Sequence, residues 1–307
     1  MDLYSAEPLK KVSRVRRSHL DEVTARTLFP QACTSSSTIL SAYYPLGSRS
    51  KHDETNFNEW NSRFFSLNDN MIIVTDTSGE ERITSAREQS EGCTLVILDE
   101  LNNAELFKMT DWKLQHDKDP EAAIHSIELY IVWNQKILWL EMSVEHNPFQ
   151  SAYFFWADSG QFRDSRFLKS YIAPKEKWIT APGNIPGCKV IFLSIEKFEP
   201  HELVQSTSGM TPPLNSTLVR LGGGNFGGDA CSILSFAPLF RETMLRYLEL
   251  NRFIGKDQPL YSSTCASWPS VCFLIDAQKV SEIDDPWFAL QPVLHGTTWP
   301  IPEYKLS

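Results

Sequence analysis

Few stretches of this chain combine reactive residue types at a useful spacing. The clearest is Asp158-Ser159-Gly160, where the apolar run "AYFFWA" stops on a carboxylate and turns. An aspartate at a strand end offers hard oxygen to a divalent cation such as Mn²⁺ or Mg²⁺. Such a cation can neutralise a diphosphate leaving group. The same aspartate can instead cap the next turn, and the local sequence leaves both readings open. A second pair, Asp257-Gln258 in "FIGKDQPL", sets an acid or base beside an amide on an expected loop. Solvated loop charges look the same.

The run "LGGGNFGGD" at 221–229 holds five of the fourteen glycines. Glycines permit close backbone approach to a ligand, and a tight loop without ligand contact is the alternative. Gly222, Gly224 and Gly227 spell GxGxxG, but that fingerprint belongs after the first strand of a βαβ unit. Here it comes late and follows "MTPPLN", so the fingerprint reading is rejected, and a nicotinamide-dependent oxidoreductase, which rests on this motif alone, is a third hypothesis that absence of binding to reduced nicotinamide cofactors would remove. "HSIELYIVWNQK" at 125–136 places His125, Asn134 and Lys136 in an otherwise core-packing helix. Asn134 stands out, one turn after Tyr130 on a mostly apolar face; His125 and Lys136 also suit a surface. His295, or Asp164, could complete a metal shell, although a lone histidine is more often structural. No GxSxG elbow, P-loop or HExxH motif occurs.

These residues need a scaffold, and the apolar pattern supplies one. Continuous apolar runs lie near 38–44, 70–76, 93–99, 151–158, 188–194 and 270–276. Such runs suit strands buried on both faces. Helical spacing falls between them at 55–65, 124–144 and 236–250, the last with Ser235 placed to cap it and Pro238 in its first turn. The alternation predicts a doubly wound α/β sheet, which binds ligands beyond the carboxyl ends of its strands. Asp76, Asp99 and Asp158 end three of those strands.

The chain's 307 residues fit one large domain. We expect residues 1–35 to form a basic, partly disordered arm and 36–307 to form the domain. A net charge of -9 argues against broad nucleic-acid binding. Six cysteines without CxxC spacing speak against zinc, and the several inside apolar strand-like runs read as buried thiols. No run is long enough to span a membrane, and no signal-peptide pattern is visible. The expected location is cytoplasmic, with the secretory lumen as the alternative if an N-terminal anchor is missing.

An ordered series of motifs adds to this. It comprises Tyr43, Ser50-Lys51-His52, Trp60, Thr75-Asp76, Glu128-Leu129-Tyr130, Trp133-Asn134, Lys136, and then Trp156, Asp158, Gly160, Phe162 and Arg163. The series resembles the HtrL/YibB family of glycosyltransferase-like proteins, placed among the GT-A nucleotide-sugar transferases. The resemblance implies a Rossmann-like GT-A domain with a mostly parallel sheet and helices on both faces. It implies a glycosyltransferase that moves a sugar from a nucleotide diphosphate donor to a hydroxyl acceptor on a glycan, lipid or small molecule. A non-catalytic sugar- or nucleotide-sugar-binding protein is the alternative. Carried over by position, Tyr43, Tyr44 and Asp76 would meet base and ribose, and Arg87 the phosphates. Lys51 and Asn134 join the donor-binding set. Asp158, with His295, would hold the metal, Gly227-Gly228 would line the sugar pocket, and Asp257 and Gln258 would face the reacting sugars. One departure is plain: Gly160 stands where Asp-x-Asp has its second acid. Without a metal, lysine or arginine would have to neutralise the phosphates.

Overall fold

The computed structural model describes residues 11–23, 28–29, 33–47, 53–163, 186–207, 209–280, 287, 290 and 301–306. Nine strands form one sheet: β1 (Val12–Arg16), β2 (Ser37–Ala42), β3 (Met71–Thr75), β4 (Thr94–Leu98), β5 (Tyr153–Ala157), β6 (Val190–Ser194), β7 (Asn225–Asp229), β8 (Cys272–Asp276) and β9 (Glu303–Tyr304). Their spatial order is β1-β4-β3-β2-β5-β7-β6-β8-β9. Strands β1 to β5 pair in parallel, as do β6 and β8, while β7 and β9 run antiparallel to their neighbours.

The principal helices are α1 (Glu54–Phe65), α2 (Glu80–Glu88), α3 (Trp112–His116), α4 (Ile127–His146), α5 (Ala230–Glu249) and α6 (Asp257–Ser267). Alternate strand residues feed two cores. Ile39, Ile73, Val96 and Phe155 pack with Phe64, Phe65 and Ile83 of α1 and α2. Leu40, Val74, Phe154 and Trp156 pack with α4, α5 and α6. This two-sided burial explains why the strands read as unbroken apolar runs. The expected α/β class is observed, a mostly parallel sheet with helices on both faces.

Several boundaries differ from expectation. Val12–Arg16, inside the expected basic arm, forms edge strand β1 on β4. Its alternation of apolar and charged residues suits an edge and hides it from an apolar-run reading. Helix α5 starts at Ala230, capped by Asp229, whose Oδ1 accepts from Ser232 N at 2.7 Å. Ser235 and Pro238 therefore lie inside the helix. Pro238 withholds one N–H from Leu234, which is exposed, so water can serve that carbonyl. Asn225–Asp229, expected as a glycine loop, is the antiparallel strand β7. The cysteines expected as buried thiols are in disulfides, and all six pair: Cys33–Cys93, Cys188–Cys231 and Cys265–Cys272.

Strand order reverses between β2 and β5. From β2 the chain builds outward through β3 and β4, then crosses back to place β5 on the other side of β2. Neighbouring parallel strands whose connections leave in opposite directions open a crevice at their carboxyl ends. The candidate site lies there.

Candidate active site

A cleft of about 530 Å³ opens where β2 ends at Ala42 and β5 gives way to Asp158. Leu129, Val132, Trp133 and Lys136 of α4 line one wall; Gly223, Gly224, Asp257 and Gln258 line another. Trp156 and Tyr44 add aromatic surface.

On the cleft floor, Lys136 Nζ lies 3.1 Å from Asp158 Oδ1 and 3.0 Å from Asp257 Oδ2. It also donates to Gly223 O at 2.8 Å. Its side chain is 3% exposed and that of Asp257 4%, whereas that of Asp158 is 42% exposed. Burial works against charge on both buried groups. For Lys136 the two carboxylates outweigh it and hold the ammonium above the usual lysine range. For Asp257, burial and the nearby Asp158 charge outweigh the attraction of Lys136, and its carboxyl lies above the usual range. Asp158 is also fixed by Trp156 Nε1, which donates to Oδ1 at 2.7 Å, and its backbone N donates to Gly224 O at 2.8 Å.

Each position expected from the sequence can now be placed. Asp158, Asp257, Gln258 and Tyr44 come together in the cleft. Asp257 is not on a loop; it opens α6. Tyr44 presents ring surface only, because its hydroxyl donates to Asp99 O at 2.9 Å. Tyr43 faces the opposite side of the sheet, beside Phe57 and Phe65. Asp76 does not line the cleft; it closes its own turn, accepting from Ser78 N and Gly79 N at 3.0 Å each. Arg87 is fully buried and far from any phosphate role: it donates to the carbonyls of Phe65, Leu67 and Asp69 and to Thr94 Oγ1. Burial pushes its pKa down to about 10, and the Asp69 charge opposes this.

Asn134 is likewise structural. Its Nδ2 donates to the carbonyls of Ile254 and Gly255, at 2.9 and 3.0 Å, and ties the segment before Lys256 to α4. Gly227 and Gly228 do not line the cleft. They let β7 close on its neighbours: a Cβ on Gly227 would stand 2.2 Å from Phe154 O. The glycines at the cleft are Gly223 and Gly224. Lys51, His295 and Asp164 lie outside the described residues.

Lys136 was legible as a polar residue in an apolar helix and as a member of the motif series, but without a role; its two carboxylate partners lie 22 and 121 positions further along the chain. Arg163, present in the motif series without a role, and Lys256, inside "FIGKDQPL", also line the cleft. His125 is buried, with Nδ1 2.8 Å from Asp119 Oδ2. Tyr130 OH donates to the same oxygen at 2.7 Å. Two buried amides at the cleft keep open hydrogen-bonding capacity among the described residues: Asn225, through both side-chain atoms, and Gln161, through Nε2.

The expected divalent cation does not fit these residues as they stand. An ammonium already lies between the two carboxylates. A second acid at position 160 would also meet the Phe57 ring, since a Cβ there falls 2.9 Å from it.

Residues 90–290 match the family model described as "Bacterial protein of unknown function (HtrL_YibB)". The chain belongs to the HtrL_YibB family. No curated protein matches this HtrL_YibB chain. Among solved structures, it is similar to mouse xyloside xylosyltransferase 1 in its apo form, at 10% identity and a TM-score of 0.41, over 78% of this chain and 85% of that one. It is also similar to core-mannan synthase A from Aspergillus fumigatus in an Mn/GDP form, at 10% identity and a TM-score of 0.39, over 86% of this chain and 76% of that one.

Proposed function

We propose that this chain transfers a sugar from a nucleotide diphosphate sugar to a hydroxyl acceptor on a glycan, lipid or small molecule. The carrying observation is a half-exposed carboxylate, Asp158, on the floor of an aromatic cleft at the sheet's switch point. The half-buried indole of Trp133 suits the apolar C–H face of a pyranose. The open amides of Asn225 and Gln161 suit its hydroxyls, because buried polar atoms cost free energy until they are paired.

A sugar leaving a diphosphate passes through a cationic transition state, and a fixed carboxylate stabilises that charge. Asp158 is the residue for this role, and Asp257 holds Lys136 in place beside it. Two cations line the cleft on the side of the departing diphosphate: Arg163, over the Trp60 ring at 5.1 Å, and Lys256, which pairs with Glu121. The pairing of all six cysteines supports an oxidising compartment, such as the secretory lumen, over the cytoplasm.

The test is a panel of nucleotide sugars, scored by thermal shift and by release of free nucleotide with candidate acceptors. One donor should raise the melting temperature, since ligand binding stabilises the native state. Asp158→Asn should keep donor binding and lower transfer by about 10²–10⁴-fold. If no donor binds, the reading falls. Binding without turnover, with any acceptor, would leave the non-catalytic binding protein.

A further inference from the structure

The geometry points to Lys136 as the resident cation of the Asp158–Asp257 carboxylate pair, so that this site works without a divalent ion and Asp158 acts on the sugar as a carboxylate that holds no metal. The second half rests on the transferase reading above; the first does not.

An ammonium has three protons to donate. Lys136 faces three acceptors: Asp158 Oδ1, Asp257 Oδ2 and Gly223 O. Its Nζ donates to Gly223 O and stands within ion-pair distance of both carboxylates, and the Trp156 ring covers it at 5.5 Å. The site is shaped for this arrangement. A Cβ on Gly223 would fall 2.6 Å from Asp257 Oδ2, so only glycine lets that backbone carbonyl come so near the pair. The Phe57 ring fills the space beside position 160, where a second acid would stand.

A divalent ion binds carboxylate oxygen at about 2.0–2.6 Å. Placed on Asp158 and Asp257, it would be pressed against the ammonium, and like charges this close in a buried site repel strongly. The lysine and the metal are therefore alternatives, and the sequence has chosen the lysine. Two carboxylates against one ammonium leave one negative charge, and the accessible carboxylate is Asp158.

Transfer then balances without a metal. The acceptor oxygen forms a bond to the anomeric carbon while the bond from that carbon to the phosphate oxygen breaks. The electron pair leaves with the nucleotide diphosphate. The acceptor proton passes to Asp158.

The test needs no donor for its first arm. Mn²⁺ alone is titrated into the full chain, and free Mn²⁺ is followed by electron paramagnetic resonance. Wild type should show no micromolar site that depends on Asp158. Lys136→Met removes the ammonium, keeps most of the stem volume, and should gain a Mn²⁺ site that a further Asp158→Asn abolishes. A micromolar site in wild type that Asp158→Asn removes would overturn the proposal. That comparison decides the matter even if Lys136→Met does not fold. In the second arm, donor binding and transfer should be the same in chelator as in Mn²⁺; loss of either in chelator overturns metal-free transfer. If no donor binds at all, the transferase reading fails, while the Mn²⁺ titration still decides what cation the carboxylates hold.

Discussion

Lys136 Nζ stands 3.0 Å from Asp257 Oδ2, and both side chains are almost fully buried. One comes from the middle of α4 and the other from the first turn of α6. Removing one partner strands the other. Asp257→Ala should therefore cost about 3–5 kcal/mol in urea denaturation. Asp158→Asn, at a half-exposed position, should cost less than about 1 kcal/mol. Equal losses would mean that the two carboxylates are not divided into a holding residue and a reacting one.

Arg87 separates a structural reading from a phosphate-binding one. Its guanidinium serves carbonyls at the end of α1 and in the turns before β3 and β4. Arg87→Ala leaves several buried acceptors unpaired, at about 1–3 kcal/mol each. Large loss of stability is expected, and donor affinity of the folded fraction should not change. A folded variant with weakened donor binding would restore the phosphate role.

Gly227→Ala should destabilise by about 1–3 kcal/mol or more, because the new methyl meets Phe154 O and the Phe155 Cα. Chemical denaturation measures this. Donor binding should stay as in wild type, since Gly227 is not at the cleft.

Asp119 should set part of the acid limb. Burial raises its pKa, but hydrogen bonds from Tyr130, the Glu121 backbone and His125 outweigh burial and hold it below the usual carboxylate range. A depressed native pKa means that its stabilisation is complete above the unfolded value, about 3.9, and is lost as pH falls through the folded one. The urea midpoint of Asp119→Asn should thus be lower than that of wild type at neutral pH, and the gap should close in acid. A gap that stays constant with pH would contradict the assignment.

The disulfides give a test that needs no substrate. Denatured, unreduced protein should show no thiol to a thiol reagent, and reduction should release all six cysteines. Replacing both residues of Cys33–Cys93, which ties the approach to β2 to the start of β4, should cost about 2–5 kcal/mol. Free thiols in secreted material would argue against the oxidising compartment.

The central strands were legible because they are buried on both faces and so carry runs such as "MIIVT" and "VIFLS". Strand β7 was not. Its "NFGGD" is chosen for close approach to β5 and β6, which overrides the poor strand preference of glycine. Helix α6 was missed because "DQPLYSSTCAS" is polar by composition, yet nearly all of it is buried. At the site, Asp158 and Asp257 were legible as strand-end and loop acids. What joins them was not, because the link is a lysine from a third element. Asn134 and Lys136 were visible as polar residues on an apolar helix. Their tasks depend on contacts across the fold, which a periodic pattern cannot record. Arg87 misled for a related reason: in sequence, a buried arginine serving carbonyls looks like one serving phosphates.

Asn134 and Lys136 sit two positions apart on α4, and each serves a different part of the chain. Asn134 fastens the backbone at Ile254 and Gly255; Lys136 meets Asp257, just beyond that fastening, and Gly223. The helix thus acts as a gauge. Inserting a single residue between them would swing one side chain about 100° around the axis relative to the other. Clamp and ammonium could not then both be met, and the segment carrying Lys256 and Asp257 would lose its place in the cleft. For this reason, length changes should be tolerated far better in the loops of this protein than within those few helical positions.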